Sequence, residues 1–356
     1  MNVEDTIKLS PEQILSIKRG SDQFNSLPTI LDVVEYLSRK DNDALIKNLP
    51  SVSNLEGKFM PVADKPRSTT IKYMPMSQSP FTYMRGQNVY KKPCLPLLYR
   101  KENGIPSEES EIIAKIRTSE FIRVIQTHPI VKSLGSTSDF LGIAQHYGMR
   151  TNLLDITNNK WVAAFFACTK NENDTYSPVG EDYEDGIGVI YVTNKRNVAD
   201  DFQTLGYQYF ERPSRQYSFT YELAKGVDFD EDENFDRILF RHDIAASTVI
   251  FNMAYAQKRF FPNDAPAIIA NTIKQNNYPL SLYSIEYCRQ HLGITESDTE
   301  IMDVLKKNKI QYHSGNEPKI GFSEEQITKE WDWWIKFKSL ELERNTLTPI
   351  PVFYLN

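Results

Sequence analysis

Nine polar side chains sit inside otherwise apolar segments of this 356-residue chain: Arg85, Gln87, Tyr99, His146, Tyr147, Asp155, Thr157, Arg215 and Gln216. Their chemistry is of a few kinds. Arg85 closes an aromatic run, FTYMRGQ (81–87), with Gly86 behind it. A guanidinium at a strand end offers a planar fork of donors that suits a doubly bonded anion. His146, Asp155 and Thr157 crowd into AQHYGMRTNLLDIT (144–157). Gln216 lies in RQYSFTYEL, which reads as a strand, and a buried glutamine must satisfy both ends of its amide. Plainer roles compete with these. Arg85 and Asp155 would make a buried ion pair. His146 would sit at a helix end, where the dipole favours it. Asp155 and Thr157 would turn the chain and cap the next helix. Tyr147, Trp161 and Phe165 would be core.

Stepping outward from these residues, the chain predicts an α+β fold, with short-stranded mixed or antiparallel sheets flanked by helices. Residues 1–75 read as a helical N-terminal extension and a linker. Ile30, Leu31, Val33, Val34 and Leu37 form one apolar face there, and the Pro-rich text from Pro50 to Pro80 reads as loop. Residues 76–275 carry the alternation of strands and helices. PSEESEIIAKIRTSEFIRVIQTHP predicts a helix capped by Ser107, with Ile112, Ile113, Ile116, Phe121 and Ile125 facing the core. A second helix follows, capped by Ser136 or Ser138 and stopped by Gly148. TNLLDIT is a buried extended piece, and Thr157 or Asn158 caps the helix NKWVAAFFACTK. GIGVIYVTN and RILF are strands. Residues 276–356 form a mostly helical C-terminal extension. Its Trp331, Trp333 and Trp334 either dock on the body or, if exposed, make a protein-interaction scaffold.

Several chemistries lack their motifs. GxxxxGK[ST], HExxH and GxSxG are absent, and DGIGVI enters a strand where a dinucleotide turn would enter a helix. DFDEDENFD lacks the central glycine of a calcium loop and has Leu239 at its twelfth position, so it reads as a solvated acidic loop. Cys94, Cys168 and Cys288 make no CxxC pair, which predicts no metal and a reducing compartment. The net charge of −6 argues against a uniformly basic nucleic-acid binder. Lys91, Lys92, Arg100 and Arg150 are the cations available for a local groove. No apolar run is long enough to span a membrane and no leader is seen, so a cytoplasmic location is expected.

Read together, YMRGQ (83–87), PLLYR (96–100), AQHYGMRTNLLDIT…VAAFFA, ERPSRQYSF (211–219) and RFFPNDAPAIIANTIK (259–274) resemble the FRG domain family, named for its Phe/Tyr-Arg-Gly start. The resemblance covers roughly residues 76–275. Asn152 and Ile156 stand where the family usually has Arg and Trp, and Asn159–Lys160 replace a small apolar step. The order of elements is in turn similar to the ADP-ribosyltransferase fold: a strand ending in Arg-Gly, a Ser/Thr-led helix, then a strand bearing Gln or Glu. This second likeness implies NAD as substrate, without a metal, for an ADP-ribosyltransferase or NAD glycohydrolase serving as a toxin or antiphage effector. It implies catalytic roles for Arg85, His146 and Gln216. Arg85 would hold the pyrophosphate, His146 a phosphate or ribose hydroxyl, and Gln216 the ribose as its cation forms. Tyr99 or Tyr147 would stack on the nicotinamide, and Thr157 would bond the ribose or orient Arg85. The acceptor would be a protein or a nucleic acid. A Glu is often found two residues after the Gln, but Ser218 stands there, and Glu222 lies further along the same face. A non-catalytic module for nucleotides or nucleic acid is the alternative.

Overall fold

The computed structural model describes residues 1–43, 59–63, 71–75, 82–101, 105, 107–133, 138–172, 174–193, 202–205, 209–345 and 353–354. In chain order these form α1 (Val3–Ile7), α2 (Pro11–Ser16), α3 (Asp22–Asn25), α4 (Ile30–Asp43), β1 (Phe59–Ala63), β2 (Ile71–Pro75) and β3 (Tyr83–Gln87). Then come α5 (Ser107–Gln126), α6 (Pro129–Ser133), α7 (Phe140–His146), β4 (Leu153–Thr157), α8 (Lys160–Cys168), β5 (Thr169–Glu172), β6 (Thr175–Pro178), β7 (Ile187–Thr193) and β8 (Phe202–Thr204). The remainder is α9 (Glu211–Arg215), β9 (Ser218–Glu222), β10 (Asp236–Arg241), α10 (Ile244–Met253), α11 (Ala265–Ile273), β11 (Leu280–Ser281), α12 (Tyr283–His291), α13 (Asp298–Lys307), β12 (Tyr312–His313), α14 (Glu324–Asn345) and β13 (Phe353–Tyr354). The fold is α+β.

The centre is a six-stranded sheet of order β10-β7-β3-β4-β9-β8, antiparallel at every step. One face carries Tyr83, Leu154, Ile156, Tyr191 and Phe219 and packs on Ile14, Ile17 and Phe24 of α2 and its surroundings. The other carries Met84, Ile190, Ile238 and Phe240 and packs on α4, α8 and α10 through Val33, Val34, Leu37, Phe165 and Ile250. Strand alternation produces this division, since successive side chains point to opposite faces. Beyond the sheet, α5 nucleates a third core. Its Ile112, Ile113, Ile116, Phe121 and Ile125 bury against residues of α7 and α11–α14, as their helical spacing predicts. Trp334 is buried there against Tyr209, and Trp331 and Trp333 pack half-buried on the same core, so the tryptophans are not a free scaffold patch.

The sheet has a weak seam. β3 and β4 are joined by the single pair Met84↔Thr157, whereas β3 pairs with β7 over five positions and β4 with β9 over five. From that pair toward Gln87 and Leu153 the two strands run apart. Gly86, beside the seam, lets α8 lie directly on β3: a Cβ there would fall 1.8 Å from the Ala163 carbonyl oxygen. No larger residue fits this approach.

Local expectations are corrected in several places. Asp139, accepting from the Gly142 amide, caps α7 in place of Ser138, and Ser136 lies outside the described residues. Asn159, in place of Thr157 or Asn158, caps α8 by accepting from the Trp161 and Val162 amides. Ser107 is the first helical residue of α5 and not its cap. Part of the expected Pro50–Pro80 loop is the antiparallel pair β1–β2, and the rest lies outside the described residues. The acidic loop is not wholly solvated: Asp230 is 1% exposed and accepts from the Tyr90 and Tyr191 hydroxyls.

Candidate functional site

His146 and Gln216 meet, though 70 residues apart in the chain. Gln216 is not a strand residue. ERPSR forms the short α9, and Gln216 is its C-cap, followed by Tyr217 at φ +49° as the chain swings into β9. That turn aims the amide inward. His146 Nδ1 lies 2.9 Å from Gln216 Oε1 and 3.1 Å from Ser218 Oγ, and Nε2 lies 3.3 Å from the Phe219 carbonyl oxygen. Gln216 Nε2 donates to the Phe260 carbonyl at 3.0 Å, which fixes the amide orientation. Thr157 completes the knot: its hydroxyl donates to the Gln216 carbonyl at 2.7 Å and accepts from the Asn159 amide at 3.1 Å. His146, Thr157 and Gln216 are all buried. Their polar atoms are satisfied internally, which is how a protein holds α7, β4 and α9 together.

Asp155 stands at the rim of this knot. Its Oδ1 is 3.7 Å from His146 Nδ1 and has no hydrogen-bond partner, while its side chain keeps 30% of its surface exposed. By register it neighbours Thr220 on β9, whose buried hydroxyl also has none.

Arg85 does not join them. In the β3–β7 register it lies beside Tyr191, on the face opposite Asp155 and Thr157. Its Nη1 crosses the seam and donates to the backbone carbonyl of Asp155 at 3.1 Å, not to the carboxylate, and its Nε is buried with no partner. The diverging strands leave that carbonyl available, and a guanidinium fills the gap. Two further arginines gather here. Arg100 Nε donates to the Leu95 carbonyl at 2.8 Å, and Arg150 Nη2 donates to the Arg100 carbonyl at 2.6 Å. Burial, and then the neighbouring Arg85, hold the Arg100 guanidinium below its ordinary value; Asp155 acts the other way. Cys94 lies in the same neighbourhood, its thiol pushed up by burial and bonded to Gln87 Oε1 at 3.2 Å. These bonds of Arg85, Arg100 and Arg150 all go to neutral backbone carbonyls.

The two candidate stacking tyrosines separate. Tyr147 is 1% exposed, bonds Asp264 Oδ2 at 2.5 Å through its hydroxyl and belongs to the α5 core, so no ring can reach it. Tyr99 is half-buried in the 3₁₀ turn Leu97–Tyr99 and lines a cavity of about 260 Å³ together with Lys115, Arg150, Asn152, Glu222 and His291. Lys91 and Lys92 are drawn elsewhere: Lys92 lies 3.5 Å from Asp230 and 3.4 Å from Glu231, and Lys91 4.0 Å from Glu184. The four cations singled out in the sequence therefore make no common groove.

Among the described residues, no cluster of His, Cys, Asp or Glu is arranged to hold a metal, and no helix is long and apolar enough to cross a membrane. Sequence reading named Arg100 and Arg150 only as available charge. Their position inside PLLYR and HYGMR, beside the other site residues, was the signal that they belong here.

No curated protein and no solved structure matches the chain. A family described as FRG domain matches residues 80–176. That span runs from just before β3 into β6 and takes in Arg85, Arg100, His146, Arg150, Asp155 and Thr157, while Gln216 lies beyond it. The chain carries an FRG domain.

Proposed function

We propose that this chain binds a phosphate-bearing nucleotide at the seam between β3 and β4, with NAD the first ligand to test. The observation that carries the reading is the gathering of Arg85, Arg100 and Arg150 where the strands part, close enough that Arg85 and Arg150 both act to hold the Arg100 guanidinium down. Guanidiniums near enough to disfavour one another's charge are matched by a dianionic pyrophosphate in sign and in donor geometry. The acidic total of the chain does not oppose this, because the field in a cleft is set by its own walls.

NAD cleavage, by an ADP-ribosyltransferase or NAD glycohydrolase, is the second reading, and one observation favours it. Asp155 offers a carboxylate oxygen without a hydrogen-bond partner across the seam from Arg85, and a carboxylate reaching the ribose from that side would stabilise the ribosyl cation as nicotinamide leaves. In this reading Asp155 takes the role that the sequence suggested for Gln216, whose amide is committed to His146 and Phe260.

Calorimetric titration of the full chain with NAD, ADP-ribose and inorganic pyrophosphate tests binding. Saturable binding that weakens with salt and is lost in Arg85→Ala is expected. No binding of any of the three ends the proposal. Chromatography for released nicotinamide decides the second reading: release abolished in Asp155→Asn supports it, and no release from wild type at saturating NAD overturns it.

A further inference from the structure

Arg212, in the short helix α9, differs from its neighbour Arg215, which pairs with Glu211. Among the described residues the Arg212 guanidinium donates no hydrogen bond and makes no ion pair, and its Nε is buried without a partner. It is nevertheless held in place. Its Cζ lies over the Tyr147 ring, 4.9 Å from the centroid, and over the Phe261 ring at 5.4 Å. Ring faces attract a cation but leave its N–H donors unmet. Lys274 comes to the same tyrosine: its Nζ donates to the Tyr147 carbonyl at 3.3 Å and to Asn271 Oδ1 at 3.2 Å. Gly148, at φ +72°, makes way for it, since a Cβ there would lie 3.1 Å from that Nζ. Arg212 and Lys274 are both half-buried.

We propose that Arg212 and Lys274 form a second anion site, which takes one phosphate group, free or as a monoester. It is independent of the seam proposal. Phe261 pads the core on the α8 side of the sheet, the side of Asp155, whereas Arg85 lies on the other face.

The edge of a guanidinium gives parallel donors to one oxyanion, and an ammonium adds a point charge. A dianionic phosphate matches two cations, where a carboxylate matches one. The nearby carboxylates already have partners. Asp264 is 1% exposed and accepts from the Tyr147 hydroxyl and from the Arg212 and Ala267 amides. Asp174 Oδ2 accepts from Asn271 Nδ2 at 2.8 Å. Burial holds the Lys274 ammonium below its ordinary value; Asp174 opposes this and Arg212 adds to it. A bound phosphate would offset the repulsion between the two cations.

Backbone strain supports the same place. Tyr255, Ala256 and Gln257 follow one another at φ +49°, +49° and +71°. Gln257 pins the run: its side chain accepts from the Tyr176 amide at 2.6 Å and donates to the Asp174 carbonyl at 3.2 Å. Its carbonyl accepts from the Phe261 amide at 2.8 Å, which sets that ring against Arg212. Left-handed residues other than glycine persist where their surroundings over-determine them, and ligand clamps are such places.

The test is calorimetric titration of the full chain, at fixed ionic strength, with inorganic phosphate, ribose 5-phosphate and acetate. It is run in Arg85→Ala, so that the seam does not contribute, and in Arg85→Ala carrying either Arg212→Gln or Lys274→Gln, each checked for folding by its thermal melt. Saturable phosphate binding is expected in Arg85→Ala, with a loss of about tenfold or more in each double variant and a similar deficit for acetate. Ribose 5-phosphate binding more tightly than inorganic phosphate would identify a monoester as the ligand, and equal affinity would identify free phosphate; either supports the site. No phosphate binding in Arg85→Ala, or equal binding in all three proteins, overturns it, and acetate binding as tightly as phosphate overturns the phosphate assignment. If Arg212→Gln does not fold, Lys274→Gln decides alone. Because Arg85 is absent throughout, failure of this site and failure of the seam are read separately.

Discussion

Arg85 and Asp155 are joined through the backbone: the guanidinium donates to the Asp155 carbonyl at 3.1 Å while the Asp155 carboxylate points toward His146, 3.7 Å from its Nδ1. The seam of the sheet passes between the two groups. A plain buried ion pair would have neutralised both. This arrangement keeps the positive charge of Arg85 on one side and an unpartnered carboxylate oxygen on the other.

Arg85→Lys should separate charge from geometry. Lysine keeps the charge but cannot span the seam and hold an anion with a planar fork. Nucleotide affinity should fall at least tenfold, about 1.4 kcal/mol, with little change in the thermal melt. Calorimetry on both proteins checks this, and unchanged affinity would mean that Arg85 supplies charge alone.

Gln216→Ala should act mainly on stability. It leaves the Phe260 carbonyl without its donor and His146 Nδ1 with only Ser218 Oγ at 3.1 Å. One buried group losing this donor costs about 1–3 kcal/mol. Urea unfolding should show that loss, and pyrophosphate binding by the folded protein should persist. A stable Gln216→Ala protein that no longer binds pyrophosphate would return Gln216 to the ligand site.

Gly86→Ala tests the close approach of α8. The added methyl would lie 1.8 Å from the Ala163 oxygen, so either the helix or the strand must move. A loss of about 3 kcal/mol or more is expected in urea unfolding. Nucleotide binding should weaken as well, because Arg85 precedes the displaced residue.

Glu330 makes the docking of α14 depend on pH. Its carboxylate accepts from the Ala265 amide at 3.2 Å, and burial, reinforced by the buried Asp264, pushes it up to about 7 from an ordinary 4.5. In the pH range between these values the folded protein holds a proton that the unfolded chain releases. Stability from this group is therefore fully present below pH 4.5 and is lost as pH rises through about 7. The loss is at most about 3 kcal/mol. Urea midpoints from pH 5 to 8 should fall in wild type and flatten in Glu330→Gln. Parallel profiles for the two proteins would show that another group sets the slope.

Much of the framework was legible along the chain. YMRGQ, LLDIT and GIGVIYVTN carry strand composition, and α5 and α8 carry apolar residues at helical spacing. The structure places β3, β4, β7, α5 and α8 on those segments. Such patterns are local: burial of one face requires apolar residues at a fixed period, whatever the partner. Gln216 was misplaced because RPSRQ has no period long enough to betray a five-residue helix, and the aromatic strand that follows dominates its window. Asp139 and Asn159 were passed over as caps because several neighbouring residues could each accept the same amide, and only the entry angle of the chain decides among them.

From its own order of residues, then, the chain determined the types and rough limits of its main helices and strands, and it brought the resemblance that the match over residues 80–176 supports. Which polar residues share a pocket was decided only in three dimensions. Register put Arg85 and Asp155 on opposite faces, a single-pair junction opened the seam, and α5 and α12, distant in sequence, closed a cavity around Tyr99. The physical reason is that side-chain alternation is fixed by neighbours one residue away, whereas the partner across a strand or a cavity is fixed by packing among segments tens of residues apart.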